Sequence, residues 1–167
     1  RITQAVALFT VFTDDYEVIA VDDGSVDRSC DLLRAIHAED RRWKLLSFSR
    51  NFGHQNAVAA GIHYSRGEVV AILDADLQDP PEELVQFLEK WQEGYQVVYA
   101  IRTKRKENIF KRFAYAAFYR VLNRIASINI PLDAGDFCVI DRTVVHVMRA
   151  LPERTRFIRG LRTWVGF

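Results

Sequence analysis

The sequence is poor in cysteine and has no membrane-spanning apolar run near its start. Its two cysteines, Cys30 and Cys138, fit neither a C-x-x-C pair nor a metal-ligand spacing, which indicates a reducing compartment. The apolar run Ala5–Phe9 is far shorter than the roughly 20 residues that a membrane-spanning helix needs. We therefore expect two buried structural thiols and no bilayer crossing.

Several motifs that carry chemistry are also absent. The sequence has no G-x-G-x-x-G and no G-x-x-x-x-G-K-[ST], so neither dinucleotide binding nor P-loop phosphate capture is supported. It has no G-x-S-x-G and no H-E-x-x-H either. The histidines show no ligand spacing, and each is expected to be an ordinary surface or packing residue: His37, His54, His63 and His146.

Charge and composition indicate one globular domain. The 23 basic and 22 acidic side chains nearly cancel, which argues against a general binder of nucleic acid. With 167 residues, 49% of them hydrophobic, the chain can bury one good core. The acids gather before residue 90 and the bases after residue 101.

Strand, loop and helix patterns alternate along the first hundred residues. "YEVIAV", "WKLLSF", "EVVAIL" and "QVVYAI" are β-rich, and the segments between them have helical periodicity, with Gly67 expected to end one helix. This alternation predicts an α/β fold with a mostly parallel sheet and helices on both faces. Ligands bind beyond the carboxyl ends of such strands, and two acid clusters fall there.

The cluster "DADLQD" contains the candidate metal ligands. Residues i and i+2 of an extended segment point the same way, so Asp74 and Asp76 would repel unless a cation lies between them. Gln78 could add a ligand or order a metal-bound water. Mg²⁺ and Mn²⁺ suit one or two carboxylates plus substrate phosphates. The alternative is a pair of solvated strand-end acids.

Other acids have helix-capping explanations. Asp79, followed by "PPE", is predicted to be the N-cap of the next helix, and Asp141 the N-cap of "RTVVHVMRAL". In "VDDGS", Gly24 and Ser25 predict a turn, and Ser25 or Asp27 would cap the following helix. Asp22 and Asp23 remain at the strand tip, where a carboxylate can accept hydrogen bonds from a ribose hydroxyl or a base N–H. The alternative is a plain turn.

Six ordered motifs together resemble the family 2 glycosyltransferases that load sugars onto polyprenyl phosphates: "VDDGSVDRS", "SRNFGHQNAVAAG", "ILDADLQDPPEE", "FYRVLNRIA", "PLDAGDFCVIDR" and "LPERTRFIRGLRTWVGF". The later motifs are more similar to bacterial undecaprenyl-phosphate glucosyltransferases than to dolichol-phosphate mannose synthases. The resemblance implies a GT-A fold, inversion at the anomeric carbon, and Mg²⁺ or Mn²⁺ as cofactor. It implies a nucleotide sugar, first UDP-glucose, as donor and a polyprenyl phosphate as acceptor.

The resemblance also assigns residues. It places the donor beside Asp22, Asp23 and Asp74, and the metal on Asp74, Asp76 and Gln78. Asp136 matches the position of a catalytic base, although a phosphate dianion needs little deprotonation, so positioning or charge stabilisation is equally open. A polar turn residue is the alternative for Asp136. By resemblance, the basic positions that would face phosphate groups are Arg102, Lys111 and Arg112. Three further arginines, spaced at i, i+3 and i+6, could meet lipid phosphate or headgroups, with plain solvation as the alternative: Arg156, Arg159 and Arg162.

The resemblance further implies a membrane location. An apolar stripe at helical spacing between Ile109 and Ile125 lies beside cations and fits either an interfacial helix or a core helix. Residues 1–167 are expected to form one catalytic domain that starts after the family's usual first strand and ends before C-terminal membrane helices. The expected location is the cytoplasmic face of the bacterial inner membrane, with homo-oligomerisation left open.

Two rival functions use the same residues. A nucleotidyltransferase also places strand-end aspartates and a divalent metal on a similar sheet. A non-catalytic domain that binds metal or nucleotide and anchors a partner at the membrane is the second. A glycoside hydrolase fits less well, because it needs two carboxylates that face each other across a sugar.

Overall fold

The computed structural model describes residues 12–76, 78–101, 134–153 and 156–167. Strands and helices alternate through most of this length. In chain order they are β1 (Val18–Asp22), α1 (Ser29–Glu39), β2 (Trp43–Ser47), α2 (His54–Tyr64), β3 (Val69–Ile72), a 3₁₀ turn (Pro81–Glu83) leading into α3 (Leu84–Gln92), β4 (Val97–Ile101), β5 (Ala134–Asp141), α4 (Arg142–Ala150) and α5 (Ile158–Trp164). Arg102, Lys111, Arg112 and the stripe between Ile109 and Ile125 lie outside the described residues.

The strands form two hydrogen-bonded groups. β1 pairs with β2 in parallel, and Asp22 lies opposite Ser47 at the end of this pair. β5 lies between β3 and β4 and runs antiparallel to both. The predicted α/β class is confirmed, and β3 and β4 share one direction as the alternating pattern predicts. The added feature is β5, which separates those two strands and makes this group of strands mixed.

The core is built around β5, which is covered on both sides. Residues 137–140 of this strand are at most 1% exposed. One face packs against Ile62 of α2, Met148 of α4 and Ile158 of α5. The other face packs against α3 through Leu84. The prediction of helices on both faces is therefore confirmed for β5.

Of the two thiols predicted to be buried, one is buried and the other is only partly buried. Cys138 is completely buried in β5, and burial raises the pKa of its thiol. Cys30 is only partly buried, and its Sγ lies 3.6 Å from Ser47 Oγ. The expectation for Cys30 was wrong because α1 contributes no fully buried residue. Neither thiol is bonded to another cysteine.

The helix ends lie where one prediction placed them and differ from two others. Asp141 is the N-cap of α4, as predicted, and accepts a hydrogen bond from Thr143 N at 2.8 Å. Asp79 is not an N-cap, because Pro80 takes the cap position before the 3₁₀ turn and no side chain caps it. Gly67 does not end α2, which stops at Tyr64 with Ser65 as C-cap. Within the described ranges, no helix is both long enough and apolar enough to cross a membrane.

Candidate active site

The carboxyl end of β1 holds the first predicted acid in a buried position. Asp22 is 5% exposed. Its Oδ1 accepts from Ser25 N at 3.3 Å, and its Oδ2 accepts from Ser47 Oγ at 3.3 Å. The carboxylate therefore joins the turn after β1 to the end of β2.

Asp23 has a structural task that the sequence did not indicate. Its Oδ1 accepts from Phe52 N at 2.7 Å, and its Oδ2 accepts from Gly53 N at 2.9 Å. Both oxygens thus fasten the loop that leads into α2. The predicted donor-binding role of Asp22 and Asp23 stays a prediction, and the structure shows that both also shape this edge of the sheet.

The acids after β3 lie in a turn rather than in an extended segment. β3 ends at Ile72, and residues 75 and 76 turn the chain. Asp76 Oδ1 accepts from Gln78 N at 3.0 Å, which closes this turn. Strand alternation is therefore not what relates Asp74 to Asp76, and that step of the sequence argument was wrong. Both carboxylates nevertheless follow the strand end, as predicted.

The electrostatics around Asp74 fit a bound cation. Burial raises the pKa of its carboxyl, and the nearby charges of Asp136, Asp76 and Asp79 raise it further against the opposing effect of His54. A divalent cation would supply the positive charge that this cluster of acids lacks. Among the described residues, no three His, Cys, Asp or Glu side chains converge as a metal site. The predicted set needs ligands from Gln78 and the donor phosphates as well.

A second buried carboxylate, Asp136 of β5, lies at the centre of a three-residue cluster. Arg159 of α5 forms a bidentate ion pair with it, in which Nε donates to Oδ1 and Nη2 donates to Oδ2, both at 2.8 Å. His54 Nε2 lies 3.0 Å from the same Oδ2. The same His54 nitrogen lies 3.9 Å from Asp74 Oδ1. His54 thus connects Asp136 to the candidate metal ligands.

The charges of this cluster keep Asp136 ionised. Burial alone raises the pKa of the Asp136 carboxyl, but the hydrogen bonds and charges of Arg159 and His54 outweigh burial and hold the pKa below its ordinary value. A polar turn residue, the alternative kept open above, is excluded because Asp136 lies within β5 and its side chain is 4% exposed.

His54 is the site residue that sequence reasoning missed. It is the first residue of α2 and lies at the edge of the sheet where the acids gather. A usable signal was its place directly after "NFG", at the start of a helix that follows a strand. His37 fits the ordinary role expected for it, because Nδ1 contacts the carbonyl of Trp43.

The three arginines of the last segment have different surroundings. Arg162 is 4% exposed, donates to Gly135 O at 3.3 Å and stacks over the Tyr99 ring at 4.7 Å. Its predicted contact with lipid or solvent was therefore wrong. Arg156 donates to the carbonyls of residues 149, 151 and 153. Arg159 pairs with Asp136, so only its exposed part could reach a phosphate.

Comparison with known proteins gives relatives of one kind. Residues 2–148 match the family model described as Glycosyl transferase family 2. The chain is 52% identical over 155 residues to the uncharacterized glycosyltransferase YkcC of Bacillus subtilis (strain 168), covering 92% of this chain and 48% of the relative. It is 37% identical over 153 residues to the bactoprenol glucosyl transferase of Shigella phage SfX, covering 91% and 50%. The chain spans about half the length of these relatives.

The fold also matches a solved structure. The mannosyltransferase PcManGT from Pyrobaculum calidifontis, in complex with GDP-Man and Mn²⁺, superposes with a TM-score of 0.55 at 20% identity, covering 90% of this chain and 43% of that one. This likeness confirms the GT-A fold. The family match covers most of the chain, and YkcC shares 52% of the aligned residues, so the chain belongs to glycosyl transferase family 2.

Proposed function

We propose that this chain is the catalytic domain of an inverting, metal-dependent hexosyltransferase that transfers glucose from UDP-glucose to a polyprenyl phosphate. Family membership supports the transferase class, and the bactoprenol glucosyl transferases at 36% to 37% identity support the sugar and the acceptor. The observation that carries the proposal is the convergence of Asp74 and Asp136 on His54 at the sheet edge where ligands bind.

The donor side of the proposed site consists of the acids after β1 and β3. Asp22, Asp23 and Asp74 would border the nucleotide sugar, and Asp74, Asp76 and Gln78 would hold Mg²⁺ or Mn²⁺. The metal would supply charge neutralisation for the diphosphate leaving group. The raised pKa of the Asp74 carboxyl supports this assignment, because its causes are burial and the neighbouring carboxylates.

The acceptor side follows from the chemistry of a phosphate monoester. Its second pKa is about 6, so at neutral pH it is largely a dianion and needs no base to become nucleophilic. An acceptor oxygen forms a new C–O bond at the anomeric carbon while the bond to the diphosphate breaks, and the electron pair leaves with UDP. Attack opposite the leaving group inverts that carbon. Cations at this side would be Arg102, Lys111, Arg112, Arg156 and Arg159.

We place this reaction at the cytoplasmic face of the bacterial inner membrane, where a polyprenyl phosphate and a nucleotide sugar can meet. Residues 1–167 would act as one catalytic domain within a longer protein. The curated relatives are about twice as long as the matched region, which supports this arrangement.

The proposal is tested by a donor screen with the full-length protein and a short polyprenyl phosphate. We expect UDP-glucose to be consumed only with Mg²⁺ or Mn²⁺ present, with glucosyl lipid and UDP formed in equal amounts. Asp76→Ala should lower transfer by at least about 100-fold, since charge stabilisation of this kind contributes roughly 2.7–4 kcal/mol. Asp31→Ala, on the exposed side of α1, is the matched control.

The products separate the rival functions. Release of pyrophosphate would support a nucleotidyltransferase instead. Binding of donor without any transfer would support a non-catalytic anchoring domain. Transfer that persists fully in EDTA would contradict the proposed metal dependence.

A further inference from the structure

The ion-pair cluster of Asp136 has an unequal exposure that bears on its role. The Asp136 side chain is 4% exposed, whereas that of Arg159 is 38% exposed and that of His54 is 50% exposed. A molecule that approaches from solvent therefore meets the guanidinium and the imidazole before it meets the carboxylate. The accessible part of the cluster therefore belongs to Arg159 and His54.

The hydrogen bonds of Asp136 also indicate that it orients its neighbours. Arg159 donates to both carboxylate oxygens, and His54 lies within hydrogen-bond distance of Oδ2. A general base must reach the proton that it removes, directly or through one water. Here both oxygens are already bonded to the two side chains that cover them. The arrangement suits an anion that orients its neighbours.

We propose that Asp136 is a positioning residue that holds Arg159 and His54 as a receptor for the phosphate monoester of the acceptor, and that it does not act as a base. This inference rests on the proposed function, since it concerns the acceptor of that reaction. His54 becomes a substrate-contacting residue that the sequence did not reveal. Its second contact, with Asp74, places this receptor directly beside the donor acids.

The chemistry balances without proton transfer to Asp136. The acceptor enters as a dianion, one of its oxygens bonds to the anomeric carbon, and the electron pair of the broken bond leaves with the nucleoside diphosphate. One negative charge of the acceptor is used in forming the new bond. An arginine and a histidine on the exposed side of the cluster suit this step, because charge-assisted hydrogen bonds to phosphate fix its orientation.

The first test measures binding and does not depend on turnover. Farnesyl phosphate and farnesol are titrated into the full-length protein. The dissociation constant of farnesol divided by that of farnesyl phosphate measures the contribution of the phosphate group to binding. We expect Arg159→Gln and His54→Ala each to lower this ratio at least about 10-fold, which is about 1.4 kcal/mol. His54→Gln should restore most of it, because its amide can donate from a similar position. Arg34→Gln, exposed on α1, should change nothing.

Binding of UDP with Mn²⁺ distinguishes the two sources of phosphate. It should be unchanged in the Arg159 and His54 variants. If these variants lose UDP and keep farnesyl phosphate, the receptor serves the donor and the acceptor assignment is overturned. If wild-type protein does not prefer farnesyl phosphate over farnesol, the receptor itself is overturned. A preference without sugar transfer would leave the receptor intact and contradict the proposed function.

The second test separates positioning from base catalysis. We expect Asp136→Asn and Arg159→Gln each to raise KM for the lipid phosphate at least about 10-fold, with the KM for UDP-glucose unchanged. Adding Asp136→Asn to a variant that already carries Arg159→Gln and His54→Ala should cause no further loss, because Asp136 acts through these two side chains. If Asp136 were a base, Asp136→Asn would lower kcat and leave KM unchanged. Asp136→Asn would then cause the same loss of kcat when it is combined with Arg159→Gln. That result would overturn the inference, and the Arg159 and His54 variants decide it even if Asp136→Asn fails to fold.

Discussion

Asp136 shows how one residue can be important to both stability and chemistry. It is buried and still ionised, because Arg159 and His54 counter the cost of burial. Removing one partner of such a buried pair leaves the other without its counter-charge. The stability of the fold should therefore depend on the charge of this one carboxyl.

The sign of the pKa shift fixes the pH dependence. The folded pKa of Asp136 lies below the unfolded value of about 3.9, so between these two values the unfolded chain binds more protons. The stabilisation is complete above about pH 4 and is lost as the pH falls through the folded pKa. We expect Asp136→Asn to cost about 1–3 kcal/mol at pH 5, and the gap to wild type to narrow towards pH 3.

Chemical denaturation of both proteins at pH 5 and at pH 3 checks this expectation. Asp31→Asn serves as the matched control, because Asp31 pairs with Arg34 on an exposed surface and should show little gap at either pH. A gap that widens on acidification would contradict the depressed pKa of Asp136.

At the residue scale the sequence could identify single acids but not their partners. Asp74, Asp76 and Asp136 were predicted as site residues from their positions and from the family resemblance. The contacts of Asp136 lie 82 residues away for His54 and 23 residues away for Arg159. Such pairs arise only when β5, α2 and α5 pack together. That is why His54 seemed an ordinary histidine and Arg159 seemed available for lipid.

At the scale of elements, the turn after β1 and the loop before α2 stabilise each other. Asp23 accepts hydrogen bonds from two amides of that loop. Gly24 has a positive φ of 74° and lies against the backbone of the same loop. A Cβ on Gly24 would lie 2.4 Å from the carbonyl carbon of Arg50 and 2.7 Å from Asn51 N. Only glycine satisfies both the backbone conformation and the close approach.

Gly94 provides the comparison that separates these two requirements. It has a positive φ of 103° after α3, but a Cβ there would meet nothing within 4 Å. Gly94→Ala should cost about 1 kcal/mol of unfolding free energy from the backbone conformation alone. Gly24→Ala should cost about 1–3 kcal/mol more, since backbone on both sides must move. Equal losses in urea denaturation would show that the close approach has no consequence.

The sequence predicted β1 to β4 and most helices because each has its own periodicity. It did not predict β5, which pairs antiparallel with two strands that come much earlier in the chain. It also misplaced the start of the helix after Asp79, because two prolines in succession put Pro80, rather than Asp79, at the cap. Pairing and cap geometry depend on contacts that a local pattern does not contain.

At the scale of the whole molecule, the fold collects acids from distant strands at one edge. Alternating strands and helices made this edge predictable, because ligands bind beyond the carboxyl ends of the strands. His54 of α2 and Arg159 of α5 reach the same place. The proposed function therefore divides the candidate site into an acidic side for the donor and a side for the acceptor that contains Arg159 and His54.

This division predicts that donor and metal stabilise the folded protein together. The proposed metal site takes two carboxylates and an amide from the protein and would be completed by the donor phosphates, so each ligand alone should bind weakly. At about 100 times their dissociation constants, bound ligands add about 2.7 kcal/mol, or about 5–10 °C in Tm for a domain of this size. Thermal unfolding with UDP-glucose, with Mn²⁺, and with both should show most of this shift only for the pair. Asp76→Asn should abolish the joint shift, whereas Asp31→Asn should keep it. A full shift from UDP-glucose in EDTA would mean that the donor is held without the metal, and Asp74 would then need another cation.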